Sequence, residues 1–314
     1  MQPPLPDTSM KLVQAGLGKY DVDAQDVVPI RGWNTSVFCI TTGKGRFALR
    51  LHEGDARPES HLRAELAFLN HLHETGLSVP IPINNRQGTF LSKLVLANEI
   101  VFCDLTTWLE GNVRRKRLDQ SDAYQLGQNL GHIHDASKTF VLPVDATFPC
   151  YDLTMLSPAI AQPLEPWFNK QDRAIVEHIV NQASVVLSKE IIKEDDMGII
   201  HKDYILGNCL WHKGKLSILD FAESGRGLYL YDLATMLTNI GDQASLRIGF
   251  IQGHTSVVPL SHGILERLSL LEAIRHVNTI LWNIEKAKLG EGPDLTRHLN
   301  IRMAEIRALV GEIT

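Results

Sequence analysis

The sequence predicts an α+β fold, in which a small antiparallel sheet carrying one helix precedes a larger, mainly helical part. Two observations support this prediction. Up to Thr106, β-branched and aromatic runs alternate with turns that contain Gly and Pro, which is typical of short strands. Beyond Gly111, apolar residues recur at helical spacing over long segments. The 314 residues are enough for one large two-lobed domain or two small ones.

The first part begins with a possible helix over residues 9–17. Residues 36–42 and 46–51 are strand-like runs, and the glycines of the short linker between them predict a β-hairpin. A helix is expected from Ser60 to about Thr75, because its leucines recur at helical spacing and Gly76 follows. Two further strands, roughly 89–96 and 99–106, give the order β-β-α-β-β.

The second part contains a helix that Ser121 can cap and that continues to about Ser137. Further helices are expected over residues 172–192, 232–240, 264–289 and 295–312. Because the residue pattern changes from strand-like to helical after Thr106, we predict a first lobe over residues 1–106, a hinge over 107–111 and a second lobe over 112–314.

Composition excludes several classes of protein. The net charge of −5 gives no global basic field that would draw nucleic acid or an anionic membrane. The four cysteines are widely separated and form no CxxC pair, which argues against a zinc site or a disulfide framework. No basic, apolar signal peptide and no run of eighteen apolar residues is present. A soluble, cytoplasmic protein is therefore expected.

Three polar side chains dominate the segment HKDYILGN and the dipeptide DF that follows it. Asp203 and Asn208 lie five residues apart, and Asp220 follows the apolar run LSIL. Carboxylate and amide oxygens are hard ligands that suit Mg²⁺. This order and spacing also match the catalytic loop and metal loop of kinases. Taken singly, an Asp in such a place commonly caps a turn, so the set of three carries the functional interpretation.

The segment from residue 199 to 237 resembles the catalytic region of the aminoglycoside phosphotransferase and choline kinase superfamily. The family pattern is HGDxHxxNxLx, a short turn, IDF and a closing DLA. This resemblance implies a protein-kinase-like fold, with ATP between two lobes. It also implies that Asp203 is the catalytic base, that Asn208 and Asp220 bind Mg²⁺, and that Asp232 braces the catalytic loop. Asp232 alone would also be a good helix N-cap.

Two features of the first lobe agree with the resemblance. Backbone N–H groups and small side chains around Asn34 and Ser36 could cover the nucleotide phosphates. Arg50 ends a strand and Glu65 follows on a helix, as in the ion pair that positions the α- and β-phosphates. An unrelated surface Arg and Glu is the alternative.

The hinge is expected at the segment TTWLEG. Adenine would hydrogen-bond to the backbone there, with Thr107 and Leu109 as candidates. The side chains of a hinge reveal little, because the recognition is made by main-chain atoms.

The chain departs from the family pattern at three positions. Lys202 stands in place of the usual Gly, Ile205 stands in place of a frequent His, and Ala222 follows Asp-Phe. Lys202 could lower the pKa of Asp203, contact a phosphate or point to solvent. The basic run over residues 114–117 could recruit an anion or an acidic partner, or could be a solvated loop. Because no group needed for the chemistry is lost, an active enzyme is expected.

Residues that would read the acceptor are harder to find. Trp282 and Glu285, on a late helix, and Glu223, after the metal loop, could line the acceptor site. Core packing and solvent exposure explain them equally well. His201 and His134 are expected to have structural roles.

The leading hypothesis is an ATP- and Mg²⁺-dependent phosphotransferase acting on a hydroxyl of a small molecule, such as an aminoglycoside, choline or a homoserine-like compound. A bacterial protein Ser/Thr kinase of the same fold is the first alternative. A nucleotide-binding scaffold without transfer activity is another. The partner is expected to be the small-molecule acceptor, with no nucleic acid or membrane, in a monomer or homodimer.

Overall fold

The chain divides by its contacts into two compact units. The computed structural model describes residues 7–30, 35–52, 57–96, 99–115, 118–151, 167–186, 193–261, 263–288, 290 and 294–313. The first unit comprises Met1–Val113, Thr139–Phe148 and Cys209–Ala222, and the second comprises Arg114–Lys138, Pro149–Asn208 and Glu223–Thr314. The lobe and hinge boundaries expected from the sequence stay a prediction.

The first unit is built on a five-stranded antiparallel sheet. Its strands follow the spatial order β1-β2-β3-β5-β4. They are β1 (Ala24–Ile30), β2 (Ser36–Thr42), β3 (Gly45–His52), β4 (Leu91–Leu96) and β5 (Glu99–Thr107). Helices α1 (Asp7–Leu17) and α2 (Glu59–Glu74) complete it. The predicted hairpin is confirmed as β2–β3, in a register that pairs Val37 with Arg50.

Strand β1 was not predicted from the sequence. It pairs with β2 at the edge of the sheet, and its first three residues are exposed. An edge strand tolerates Pro29, because one side of its backbone has no ladder partner. The polar start and the proline removed the period-2 pattern on which sequence prediction depends.

Helix α2 forms where the leucine spacing predicted it. Leu62, Leu66, Leu69 and Leu72 are all buried, so one apolar stripe packs inward. Gly76 follows with φ of +90°, a left-handed conformation that an L side chain rarely adopts. The helix therefore stops where the sequence indicated.

A second, three-stranded sheet belongs to the same unit. Its order is β6 (Asn112–Val113), β8 (Cys209–His212) and β9 (Lys215–Ile218). Pairing of β6 with β8 joins chain segments that are far apart in sequence. Asp220 lies two residues beyond β9, where the sequence placed it.

The second unit is mainly helical. Its helices are α3 (Gln120–Ser137), α4 (Lys170–Val186), α5 (Tyr229–Ile240), α6 (Ala244–Thr255), α7 (Leu268–Lys288) and α8 (Leu295–Ile313). Strands β7 (Met197–Ile200) and β10 (Gly225–Leu228) form an antiparallel pair. The predicted mixed α+β fold, with a small antiparallel sheet and a larger helical part, is confirmed.

Helix α6 is not predicted from the sequence, because its glycines lower helix propensity. The structure shows why they are there. A Cβ at Gly253 would stand 2.1 Å from the carbonyl oxygen of Tyr124 on α3, and one at Gly127 would stand 2.0 Å from that of Phe250. These glycines let α3 and α6 approach backbone to backbone.

The start of α3 corrects one prediction. Its N-cap is Asp119, not Ser121, and it forms a capping box with Asp122. The Asp119 carboxylate accepts the Asp122 amide at 2.8 Å. A carboxylate there also interacts favourably with the helix dipole. In the part of the chain that the structure describes, no helix is both long and apolar enough to cross a bilayer.

Candidate active site

The loop over residues 201–208 is anchored to the second unit by buried contacts. It leaves β7 and ends in a short 3₁₀ turn, Leu206–Asn208. Tyr204 is fully buried and donates its hydroxyl to the carbonyl of Leu126 at 2.9 Å. The amide of Leu206 donates to Oδ1 of Asn239 at 3.0 Å. These contacts fix the loop on α3 and α5, so its side chains are presented from a rigid support.

Asp232 holds the start of this loop through its backbone, as the resemblance implied. Its Oδ2 accepts the amide of His201 at 2.7 Å, and its Oδ1 accepts the amide of Lys202 at 2.6 Å. Asp232 lies in the first turn of α5, whose N-cap is Leu228. It is therefore a brace and not the helix N-cap, which corrects the alternative drawn from the sequence.

A buried histidine pair extends the brace. His134 Nε2 lies 3.0 Å from Asp232 Oδ2, and His134 Nδ1 lies 2.9 Å from His254 Nε2. Burial lowers the pKa of His134, and burial together with His134 lowers the pKa of His254 to about 2. Both rings are therefore neutral near pH 7. Since Asp232 accepts the Nε2 proton of His134, Nδ1 of His134 must accept the Nε2 proton of His254.

Asp203 is held by two side chains and still reaches solvent. Its Oδ2 accepts from Asn208 Nδ2 at 3.1 Å, and its Oδ1 accepts from Arg275 Nη2 at 2.8 Å. Asn208 Nδ2 also donates to the Asp203 carbonyl at 2.9 Å. The side chain remains 31% exposed, enough for an external hydroxyl to reach the carboxylate. Asp203 and Asn208 are thus brought together as the motif predicted.

Arg275, on α7, is not among the site residues predicted from the sequence. Burial alone would lower the pKa of its guanidinium, but Tyr231 and Asp203 beside it raise that pKa above its ordinary value. The Arg275 side chain is therefore a permanent cation next to Asp203. The one signal for Arg275 in the sequence is its position two helical turns before Trp282, on the helix predicted to line the acceptor site.

The backbone conformation of Lys202 explains why the family pattern has Gly at this position. Its φ is +66°, in the left-handed region that favours glycine. Lys202 Nζ lies 2.8 Å from Glu223 Oε2 and 4.1 Å from the centroid of the Tyr151 ring. This pairing replaces the free, solvated position considered from the sequence, whereas an effect on Asp203 and a contact with a phosphate stay predictions. Glu223 raises the pKa of Lys202 against the opposing effect of burial.

Trp282 and Glu285, which were candidates for the acceptor site, contact lysines of their own helix. Lys286 Nζ lies 5.7 Å from the centroid of the Trp282 ring, and Lys288 Nζ lies 2.7 Å from Glu285 Oε1. Trp282 is 49% exposed. A role in acceptor binding for either residue stays a prediction.

The first unit contains the ion pair expected between a strand cation and a helix glutamate. Arg50 Nη1 lies 2.6 Å from Glu65 Oε1, and Arg50 Nε lies 2.8 Å from Asp104 Oδ1. Arg57 Nη2 adds a second cation 2.7 Å from Glu65 Oε2, and His52 Nε2 lies 2.6 Å from Asp104 Oδ2. Arg50 and Glu65 are predicted from the sequence, whereas His52, Arg57 and Asp104 are not.

These charges keep one another ionised despite their burial. Burial would raise the pKa of Glu65, but Arg50 and Arg57 lower it to about 2. Burial would also raise the pKa of Asp104, but Arg50 and His52 lower it. Burial would lower the pKa of Arg50, and the two carboxylates raise it above its ordinary value. Arg50 Nη2 is buried and hydrogen-bonds to no described residue, so one strong donor is available to an anion such as a phosphate.

The remaining candidate residues are placed as follows. Asn34 lies outside the described residues. Ser36 begins β2, one residue before the partner of Arg50. Thr107 ends β5, where its Oγ1 accepts the amide of Ile81 at 3.0 Å. Leu109 follows in the segment without regular structure.

Asp220 has a backbone conformation that is rare for a residue with a Cβ. Its φ is +63°, and the residue is exposed in the irregular segment that follows β9. Such a conformation is sparsely populated away from glycine and is often found at functional sites. Asn208 is suited to a cation as well, since its amide nitrogen is committed to Asp203 and leaves the amide oxygen. Carboxylate and amide oxygens are the ligand type that a divalent cation prefers.

In the basic run, Arg114 and Arg115 are described, whereas Lys116 and Arg117 lie outside the described residues. Arg114 Nη1 lies 3.0 Å from Asp122 Oδ1. Arg115 Nη2 lies 3.4 Å from the position that a Cβ on Gly207 would occupy. The run therefore begins beside the loop that carries Asp203.

Comparison with known proteins identifies the family of the chain. The model of a phosphotransferase enzyme family matches residues 26–264. A homoserine kinase of Parvibaculum lavamentivorans is 28% identical over 274 residues, which cover 81% of this chain and 78% of that protein.

Two solved structures share the fold. An amicoumacin kinase in complex with AMP-PNP, Ca²⁺ and Ami superimposes with a TM-score of 0.80 at 18% identity, covering 96% of this chain and 93% of that one. A microcompartment-associated aminopropanol kinase superimposes with a TM-score of 0.76 at 18% identity, covering 96% and 95%. Because the family model spans most of the sequence, the chain belongs to the phosphotransferase enzyme family.

Proposed function

We propose that this phosphotransferase moves the γ-phosphate of ATP, bound with Mg²⁺, to a hydroxyl group of a small molecule. The observation that carries the proposal is the Asp203 carboxylate, which is partly exposed while Asn208 and Arg275 fix both of its oxygens. A carboxylate fixed in this way can align an acceptor hydroxyl without reorganising during the reaction.

In the proposed step, the acceptor oxygen bonds to the γ-phosphorus while the bond from that phosphorus to ADP breaks. Asp203 orients the hydroxyl and accepts its proton late in the reaction. The backbone brace from Asp232 to His201 and Lys202 keeps the carboxylate in place. Most of the rate enhancement then comes from positioning.

The residues proposed to hold the metal are Asn208 and Asp220. Their oxygens are the kind that Mg²⁺ prefers. When bound, a divalent cation would neutralise negative charge on the phosphates. The presence of AMP-PNP and Ca²⁺ in the amicoumacin kinase complex supports the use of a nucleotide and a divalent cation here.

For the nucleotide, we assign the α- and β-phosphates to Arg50, which Glu65 holds and whose Nη2 remains available. Ser36 and Asn34 are assigned to the phosphate-covering loop, and the backbone at Thr107 and Leu109 to adenine. These last assignments follow from the family resemblance. The lobes over residues 1–106 and 112–314, joined by a hinge over 107–111, belong to the same proposal.

The acceptor class is supported by the relatives. Homoserine, amicoumacin and aminopropanol are named for three kinases similar to this chain. Homoserine and aminopropanol are small compounds that carry a hydroxyl group. A small-molecule acceptor is therefore favoured over a protein acceptor.

The test is to incubate the protein with Mg²⁺ and ATP labelled on the γ-phosphate, together with a panel of hydroxyl-bearing metabolites and antibiotics. Label should appear on a small molecule and should be abolished by EDTA. Label found only on protein would indicate a protein kinase instead. ATP binding without transfer to any compound would indicate a scaffold.

A further inference from the structure

Arg275 is a fixed cation beside the carboxylate that the proposed function assigns to the acceptor hydroxyl. Its Nη2 donates to Asp203 Oδ1 at 2.8 Å, and the Tyr231 phenol also contacts the guanidinium. Tyr231 itself is buried and accepts from Asn278 Nδ2 at 3.2 Å. The guanidinium is thus held from two sides, and 19% of the side chain remains exposed.

A guanidinium presents five N–H donors in a planar fork, so the Asp203 contact does not exhaust it. A second carboxylate can bind the same group, because planar guanidinium and carboxylate groups match in shape and charge. Arg275 is therefore equipped to hold an anion from the acceptor next to the hydroxyl that Asp203 aligns.

The charges along the loop also favour an anionic acceptor. Arg275 neutralises Asp203, and Lys202 neutralises Glu223, which lies 2.8 Å away. Arg115 is exposed beside Gly207 and forms no ion pair within the described residues. Asp203 and Glu223 thus each have a cation partner, Asp232 is fully buried, and Arg115 remains as an exposed cation. A purely cationic acceptor would find no exposed carboxylate without a cation partner among these three.

We infer that the acceptor carries a carboxylate as well as the hydroxyl, and that Arg275 binds that carboxylate. The inference rests on the proposed function. If the hydroxyl hydrogen-bonds to Asp203 and the carboxylate to the adjacent guanidinium, the two groups are about 4–6 Å apart, which is the span of a short hydroxy acid or hydroxy amino acid. A carboxylate is preferred over a phosphate because the dianion would repel Asp203 more strongly.

The experiment compares acceptors that differ only by loss of the carboxylate. Suitable pairs are homoserine with 3-amino-1-propanol, threonine with 1-amino-2-propanol, serine with ethanolamine, and glycerate with ethylene glycol. For each pair, kcat/KM is measured by ADP release and the phosphorylated product is identified by mass spectrometry. The ratio within a pair cancels any general loss of activity in a variant.

The variants are Arg275→Gln, Arg275→Lys and the control Arg247→Gln. Arg247, on α6, is the matched control. Its Nη2 lies 2.6 Å from Oε1 of Glu272, which precedes Arg275 by one turn of α7. Wild type and Arg247→Gln should prefer the carboxylate member of the best-used pair by about 10- to 100-fold in kcat/KM. Arg275→Gln should reduce that preference to less than about threefold, mainly through KM. Arg275→Lys should be intermediate, because it keeps the charge and loses the fork.

Folding of each variant is checked by its thermal transition, and binding of the paired compounds without ATP is followed by calorimetry. Loss of the carboxylate preference in binding, for Arg275→Gln only, would support the inference even if that variant turns over slowly. A best acceptor without a carboxylate, or a preference that survives Arg275→Gln, would overturn the inference and leave the phosphotransferase assignment intact. Failure to phosphorylate any alcohol would overturn both.

Discussion

His134 Nε2 lies 3.0 Å from Asp232 Oδ2 in a site where both side chains are fully buried. The same Asp232 carboxylate holds the backbone of His201 and Lys202. Helix α3 is therefore connected through one carboxylate to the loop that carries Asp203.

Replacing His134 with Ala should loosen this loop. The change leaves Asp232 buried with one donor fewer and removes the acceptor of His254, which we expect to cost about 1–3 kcal/mol of unfolding free energy. Urea denaturation measures the loss, and hydrogen exchange at the His201 and Lys202 amides should accelerate. His132→Ala is the control, because His132 is exposed on the same helix. Equal effects of the two substitutions would contradict the role given to His134.

Arg50→Gln should destabilise the first unit strongly. It removes the cation that Glu65 and Asp104 share and leaves Arg57 beside Glu65 and His52 beside Asp104, and breaking such a buried ion pair costs about 3–5 kcal/mol. Arg46→Gln, on the same strand, removes an exposed pair with Glu110 and should cost less than about 1 kcal/mol. Chemical denaturation compares the two variants. A small loss for Arg50→Gln would show that the buried cluster does not depend on this cation.

The same cluster should make the protein sensitive to acid. The pKa of Glu65 falls from 4.5 to about 2 on folding, so its stabilising contribution is present above the unfolded pKa. It is lost as pH falls through the folded pKa, in the window from about pH 5 to about pH 2. Glu65→Gln should flatten the pH dependence of unfolding free energy in that window, by on the order of 2 kcal/mol.

Glu59→Gln is the control for this pH effect. Glu59 lies on the same helix, forms an i,i+4 pair with Arg63 and is 41% exposed. Its removal should leave the acid slope nearly unchanged. If both variants keep the wild-type slope, the cluster does not govern acid stability.

Lys202→Gly should show how much the contacts of Lys202 offset its strained backbone. Glycine relieves a left-handed conformation that costs about 1–2 kcal/mol with a Cβ, but it also removes the contacts with Glu223 and Tyr151. Lys213→Gly is the comparison, since Lys213 has φ of +49° in an exposed turn. Calorimetry should find Lys213→Gly the more stabilising of the two. The opposite order would mean that the Lys202 contacts contribute nothing.

The fold and part of the site could be predicted from the sequence because their signals are local. The leucine spacing of α2, the β2–β3 hairpin, and the Asp203–Asn208 motif each occupy a short stretch. The Arg50–Glu65 pair was found because a strand and the following helix bring those residues together. The family match then confirmed the enzyme class that these signals predicted.

The missed residues depend on contacts between distant parts of the chain. Asp104 meets Arg50 through the register of β3 with β5, which a single sequence does not specify. Arg275 meets Asp203 across 72 residues, from a helix with an ordinary amphipathic pattern. Helix α6 is not predicted from the sequence because glycine has low helix propensity, whereas in the fold its glycines allow close packing against α3.

Turnover by Asp203→Asn tests the central claim most directly, because that substitution keeps the shape of the side chain and removes its charge. With the best acceptor, kcat should fall by about 10²- to 10⁴-fold, while ATP affinity and the thermal transition change little. Asp135→Asn should retain full turnover, since Asp135 is an exposed surface residue paired with Lys138. Undiminished turnover in Asp203→Asn would contradict the assignment of Asp203 as the catalytic base.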